Sequence, residues 1–208
     1  LSGGIGVTAG SIKLTDTGTL ASNVAMSGGI LDADNTLTVS GALTQSGDIT
    51  IDVLDNKILS YSGVSLSLGS NTLTISGGGT FANTNPLLLD DPASNLVLDN
   101  VNVGFVSASA ASSGAKGLEV LGDSTLTNLS LAEKLRLSVD SGKTLTLAEP
   151  LTVPTQGMEL AGAGKLDLTD NLTMNGDVTL ASGSLTVDAK GLLLNLGGNL
   201  NLSGGTLL

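Results

Sequence analysis

The sequence predicts an all-β chain wound as a right-handed parallel β-helix (a β-solenoid), with three short strands per coil, about 20 residues per coil and about ten coils. Three observations predict it. Apolar–x–apolar triplets recur at steps of roughly six to eight residues, too short for a helix and its turn. The middle residue of each triplet is nearly always polar. The apolar content, 40% of the chain, is almost wholly aliphatic, with aromatics at 1%. A core without large rings suits identical layers rather than an irregular interior.

In the C-terminal half the triplets begin at Leu145, Leu151, Met158, Leu166, Leu172, Val178, Leu185, Leu192 and Leu200, which form the expected core ladder. In Leu-Thr-Leu the outer residues share one face and the middle one points away. The middle positions read Thr146, Thr152, Glu159, Asp167, Thr173, Thr179, Thr186, Leu193 and Asn201, eight of them polar. Grouped in threes, the triplets return about every 19–22 residues. Leu166 is therefore expected to stack on Leu185, with Asp167 outside on Thr186. The N-terminal half is looser but legible in Ile12-Lys13-Leu14, Leu37-Thr38-Val39, Ile49-Thr50-Ile51 and Leu73-Thr74-Ile75. "SGG", "SGD" and "NGD" supply corners, where glycine accepts positive φ and Ser, Asn or Asp bonds nearby backbone. An antiparallel sandwich calls for longer strands at spacings of about 8–12 residues.

Residues 1–208 read as one continuous solenoid, with an irregular coil near 81–105 and a protruding loop at 107–117, "SASAASSGAKG". The chain opens inside the pattern and closes on "GGNLNLSGGTLL" with no cap. That predicts a segment of a longer rod or a subunit that stacks end to end.

"TLTVSGALTQSGDITI" (36–51) and "NLTMNGDVTLASGSLTV" (171–187) resemble the repeats of filamentous-haemagglutinin-type exoproteins and autotransporter passengers. The resemblance covers nearly the whole chain and implies a parallel β-helix secreted by bacteria as an adhesin, fibre or stalk. It carries over no binding residue.

The residues themselves offer little chemistry. A net charge of −11 gives no basic stripe for nucleic acid or anionic lipid, and no apolar run approaches the ~20 residues of a spanning helix. Cysteine is absent, excluding disulfides and thiolate metal sites. Histidine is absent too, and with it the commonest general base. Paired carboxylates suit glycoside cleavage in principle; the nearest pairs, Asp32/Asp34, Asp52/Asp55 and Asp90/Asp91, read better as solvated corners. Catalytic, cofactor and metal residues are accordingly expected to be none, weak Ca²⁺ ligation at Asp-rich corners being the one cofactor reading considered. Thr-x-Thr pairs at Thr125/Thr127 and Thr144/Thr146 suggest an ice-binding ladder, but Lys165 and Asp167 should interrupt it. Tyr61, Phe105 and Lys116 are the candidate contacts for a partner, as aromatics and a loop cation on a rigid scaffold.

The expected function is a non-enzymatic shaft of an extracellular bacterial fibre or adhesin, partnered by itself or neighbouring repeats end to end, or by a surface glycan or protein. A carbohydrate- or receptor-binding β-helix is the alternative, with a glycan-degrading enzyme third.

Overall fold

A computed structural model describes residues 4–182, 185–189 and 192–208. Leu1–Gly3, Gly183, Ser184, Lys190 and Gly191 lie outside the described residues. The chain is a parallel β-solenoid of about nine turns, about 21 residues each, with three strand faces and no helix among the described residues. At ~4.8 Å per turn it is a rod about 45 Å long.

Face 1 is an unbroken ladder of ten parallel strands, from Ser11–Leu14 through Ile30–Ala33, Ile49–Val53, Thr72–Ser76, Asn95–Asp99, Gly117–Val120, Leu135–Val139, Met158–Gly162 and Val178–Ser182 to Leu200–Leu202. Face 2 is equally continuous, from Thr19–Leu20 to Thr206–Leu207. Face 3 is different. Ile5–Val7, Val24–Met26 and Leu43–Gln45 form one small sheet, and Leu151–Val153, Leu172–Met174 and Leu194–Leu196 form another. Between them, Leu66–Ser67 and Leu87–Leu89 join the far halves of two long strands, Asn102–Ala108 and Ser124–Leu131, which bend from face 2 onto face 3.

Alternation behaves as the triplets predict. Leu145, Leu151, Met158, Leu166, Leu172, Val178 and Leu185 are buried in one aliphatic core, while Leu192 and Leu200, in the last turn, are half-buried against it. Leu196, Leu202 and Leu208, also in that turn, are about half exposed at 50–55%. Ladder hydrogen bonds and this core are the two cohesive terms. Each turn gains both only from its neighbours.

The expected register around Leu166 needs correction. Leu166 pairs with Val187 and Asp167 with Asp188, while Lys165 pairs with Thr186. Alternation fixes which face a side chain takes, but a slip of two residues preserves the face and so escapes the pattern. An irregularity in the neighbouring face 1 pair, where Leu160 meets Leu180 but Ala161 meets Ser182, inserts Ala181 and lengthens this turn.

Corner glycines serve close approach as often as positive φ. Gly41 has ordinary φ, yet a Cβ there would lie 2.1 Å from the Ser22 carbonyl oxygen of the turn before. Only a residue without a side chain lets the two backbones stack.

The first break in face 3 is filled by side chains. The Leu43 N–H donates to Tyr61 Oη at 3.1 Å, and that hydroxyl donates to the Val64 carbonyl, so a phenol stands where a ladder bond would. Gln45 Nε2 donates to the Leu68 carbonyl at 3.1 Å beside it. Tyr61 and Phe81 are both fully buried, their rings stacked 6.1 Å apart and plugging a wider layer. Tyr61→Phe keeps the ring and strands the buried Leu43 N–H. A loss of about 1–3 kcal/mol is expected, read as a lower urea midpoint at unchanged slope.

Candidate functional site

Asp and Asn corner residues are expected to bond nearby backbone. Many instead bond forward to the next turn. Asp48 accepts the Thr72 N–H at 2.6 Å, Asp123 that of Thr144 at 2.8 Å and Asp177 that of Asn199 at 2.8 Å. Asn23 takes Ala42 N–H at 2.9 Å and Asn171 takes Leu193 N–H at 3.0 Å. In each case the acceptor stands just before a strand and caps the N–H entering the equivalent strand one turn later. The turn composition was legible, whereas its direction across coils needs the stacking to be seen. Asp123→Ala is expected to cost about 1 kcal/mol and Asp123→Asn, which keeps an acceptor, clearly less; chemical denaturation of both variants checks the difference.

The paired carboxylates are occupied in the same spirit. Lys13 Nζ lies 2.6 Å from Asp34 and 3.5 Å from Asp32. Asp52 accepts Ser76 Oγ at 2.6 Å, and Asp55 accepts Asn56 Nδ2 at 2.9 Å. Asp90 holds Ser67 Oγ and the Gly69 N–H, and Asp91 closes an Asx turn on Ala93 N–H at 2.8 Å. Glu159 pairs with Arg136 at 3.3 Å and Lys134 at 3.7 Å. Among the described residues no three acidic side chains converge as a metal site would require.

On the threonine ladder, Thr125 stacks on Thr146, and Asp167 and Asp188 follow in register. Lys165 bridges that last pair at 3.1 and 3.0 Å. The array ends there, as the sequence predicts.

The candidate partner contacts separate. Tyr61 is 1% exposed and belongs to the core, because its hydroxyl completes a ladder. Phe105 is half-buried at the bend of its strand. Lys116 is exposed at the end of the 109–116 connection. Ser107 and Ala108 still belong to a strand, and Gly117 begins the next. The connection is tied on both sides: Ser112 N–H to Lys134 O, Ser113 N–H to Pro92 O, and Arg136 Nη1 to Ala115 O at 3.1 Å.

Asn83 was not singled out in the sequence, and it is the most heavily bonded side chain at a corner. Buried at 6% exposure, its amide donates to the carbonyls of Asn85 at 2.9 Å and Phe105 at 2.6 Å. Its oxygen accepts the N–H groups of Gly104 at 3.1 Å and Phe105 at 3.2 Å. An Asn two residues after Phe81, at an inward position, was the available signal.

A cavity of about 20 Å³ among Val153, Leu160, Leu168, Met174 and Leu180 is wholly apolar and no larger than one water needs. Four further hollows on the faces and corners lie open to solvent.

Three groups that titrate at alkaline pH, Lys165, Lys13 and Tyr61, favour their protonated form in the fold. The Asp188 and Asp167 carboxylates beside Lys165 hold its ammonium above the ordinary 10.5. Hydrogen bonding to Asp34 and the charge of Asp32 raise Lys13 likewise. Burial raises Tyr61 above 10.0, opposed in part by the Leu43 N–H. With raised folded pKa values the unfolded chain loses these protons first. Their stabilisation is whole below pH ~10 and is lost as pH climbs through the folded values. The Tm should therefore fall on titration above pH 10, and Lys13→Met with Lys165→Met should flatten part of that fall. On the acid side, Lys13 lowers Asp34 below its ordinary 3.8, while burial raises Asp32. The two trends oppose one another.

Compared with known protein families, with curated proteins and with solved structures, the chain matches none.

Proposed function

We propose that the chain is a structural rod, the shaft of a bacterial surface fibre or adhesin. The carrying observation is the use its polar side chains are put to: acids, amides and hydroxyls at the corners bond from one turn to the next around a closed aliphatic core. Such a chain resists proteolysis and bending, because opening one turn breaks ladders with two neighbours. The exoprotein-like repeat style supports placement outside the cell.

The test is immuno-electron microscopy on the source cells with antibody raised to this chain. Label along filaments or on the outer envelope is the expected result. Label confined to the cell interior would sink the proposal.

A further inference from the structure

Of the chain's asparagines, Asn175 alone is followed by glycine; the others precede Val, Thr, Leu, Lys or Pro. The pair lies at the corner between the face 3 strand Leu172–Met174 and the face 1 strand Val178–Ser182. Its neighbours Asn171 and Asp177 hold the N–H groups of Leu193 and Asn199. The Asn175 side chain is exposed and bonds to nothing among the described residues. The Gly176 N–H is likewise unbonded, whereas the Asn175 N–H donates to the Val153 carbonyl at 2.9 Å. Stacking fixes the glycine. A Cβ at Gly176 would lie 2.2 Å from the Pro154 carbonyl oxygen of the turn before, and one at Gly198 would lie 2.2 Å from the Gly176 carbonyl oxygen. The fold therefore demands Gly176 and leaves an unpartnered amide directly before it.

We infer that Asn175–Gly176 is a self-modifying site, where asparagine converts to aspartate and isoaspartate in the folded rod. The Gly176 nitrogen gives up its proton to hydroxide and attacks Asn175 Cγ. The new C–N bond closes a cyclic imide, and the side-chain nitrogen leaves as ammonia, taking its proton from water. Water then adds to one imide carbonyl and breaks its C–N bond. One opening gives aspartate; the other gives isoaspartate, in which the chain runs through the former side chain. Overall one water is consumed and one ammonia released, with no oxidant or reductant. A side chain at position 176 would crowd the closing ring, and a bonded Gly176 N–H would hold the peptide away from it. Neither obstacle is present.

The corner is sensitive to such a change. Asp177 ties three turns together: its carbonyl accepts the Met158 N–H at 2.9 Å, and its carboxylate accepts the Asn199 N–H at 2.8 Å and Nδ2 at 3.0 Å. Isoaspartate lengthens this corner by one backbone carbon. Either product also sets a second carboxylate two residues from Asp177, where like charges repel. The rod thus carries an ageing site that loosens one corner with time. This goes beyond the shaft proposal and can fail while the rod itself stands.

The full chain and Asn175→Gln, whose longer amide closes a ring far less readily, are held folded in mildly alkaline buffer at body temperature. They are then unfolded, digested with trypsin and read by fragmentation mass spectrometry. Asn171 falls in the same tryptic peptide and is the internal control, exposed but followed by Leu172 and bonded to the Leu193 N–H. Asn175 is expected to convert about tenfold faster than Asn171 or more, at a rate rising in proportion to hydroxide. In the aged chain, hydrogen-exchange protection should fall at Met158 and Asn199, and it should persist in aged Asn175→Gln. Equal rates at the two asparagines, conversion of Asn175 only when the chain is unfolded in urea, or unchanged protection after conversion would each overturn the inference.

Discussion

Asn83→Ala is expected to destabilise the chain by about 3 kcal/mol or more, the largest effect of any polar substitution outside the ladders. The variant leaves Gly104 and Phe105 N–H groups and the Phe105 carbonyl without their partner at a half-buried bend. The strand Asn102–Ala108 turns from face 2 to face 3 there, and at Gly104 and Phe105 it pairs with no strand of the preceding turn. Asn85→Ala, at an exposed position with one bond to the Gly63 carbonyl, serves as the control and should cost about 1 kcal/mol. Urea titrations of both variants decide it, and equal midpoints would remove Asn83 from this role.

Gly162→Val should be more damaging still, at about 4 kcal/mol or beyond from combined backbone strain and overpacking. Gly162 has φ of +95°, where a β-branched residue is disfavoured. A Cβ would also lie 2.0 Å from the Val139 carbonyl oxygen, which cannot retreat because it bonds the N–H groups of Ala163 and Gly164. Hydrogen exchange offers the sharper reading. Protection should be lost first at Ala163 and Gly164, and a uniform loss over the whole rod would contradict a local origin.

How much of this was readable beforehand follows from what a period of two encodes. It tells inside from outside, so the buried run from Leu145 to Leu185 and the outward Thr146 and Asp167 were legible. It is blind to slips of two residues, so the pairing of Leu166 with Val187 was not, and neither was the insertion of Ala181. Asp123 and Asp177 look like ordinary turn residues, because nothing local shows that their acceptors reach a strand one turn on. Tyr61 and Phe105 looked alike as rare aromatics. Only the layer around each separates a core plug bonded at its hydroxyl from a ring half-exposed at a bend.

The interruptions in face 3 have a mechanical consequence. Faces 1 and 2 act as two unbroken flanges, each tied by backbone bonds along the whole length. The third flange is cut twice, where Tyr61 and Gln45 stand in for strand bonds and again before Leu151, which follows Pro150 and has no strand partner in the preceding turn. Tension on that side falls on a phenol and an amide rather than on a ladder. The beam therefore has a soft axis: it should curve by opening those two seams, with the continuous flanges on the inside of the bend, and stay stiff in other directions.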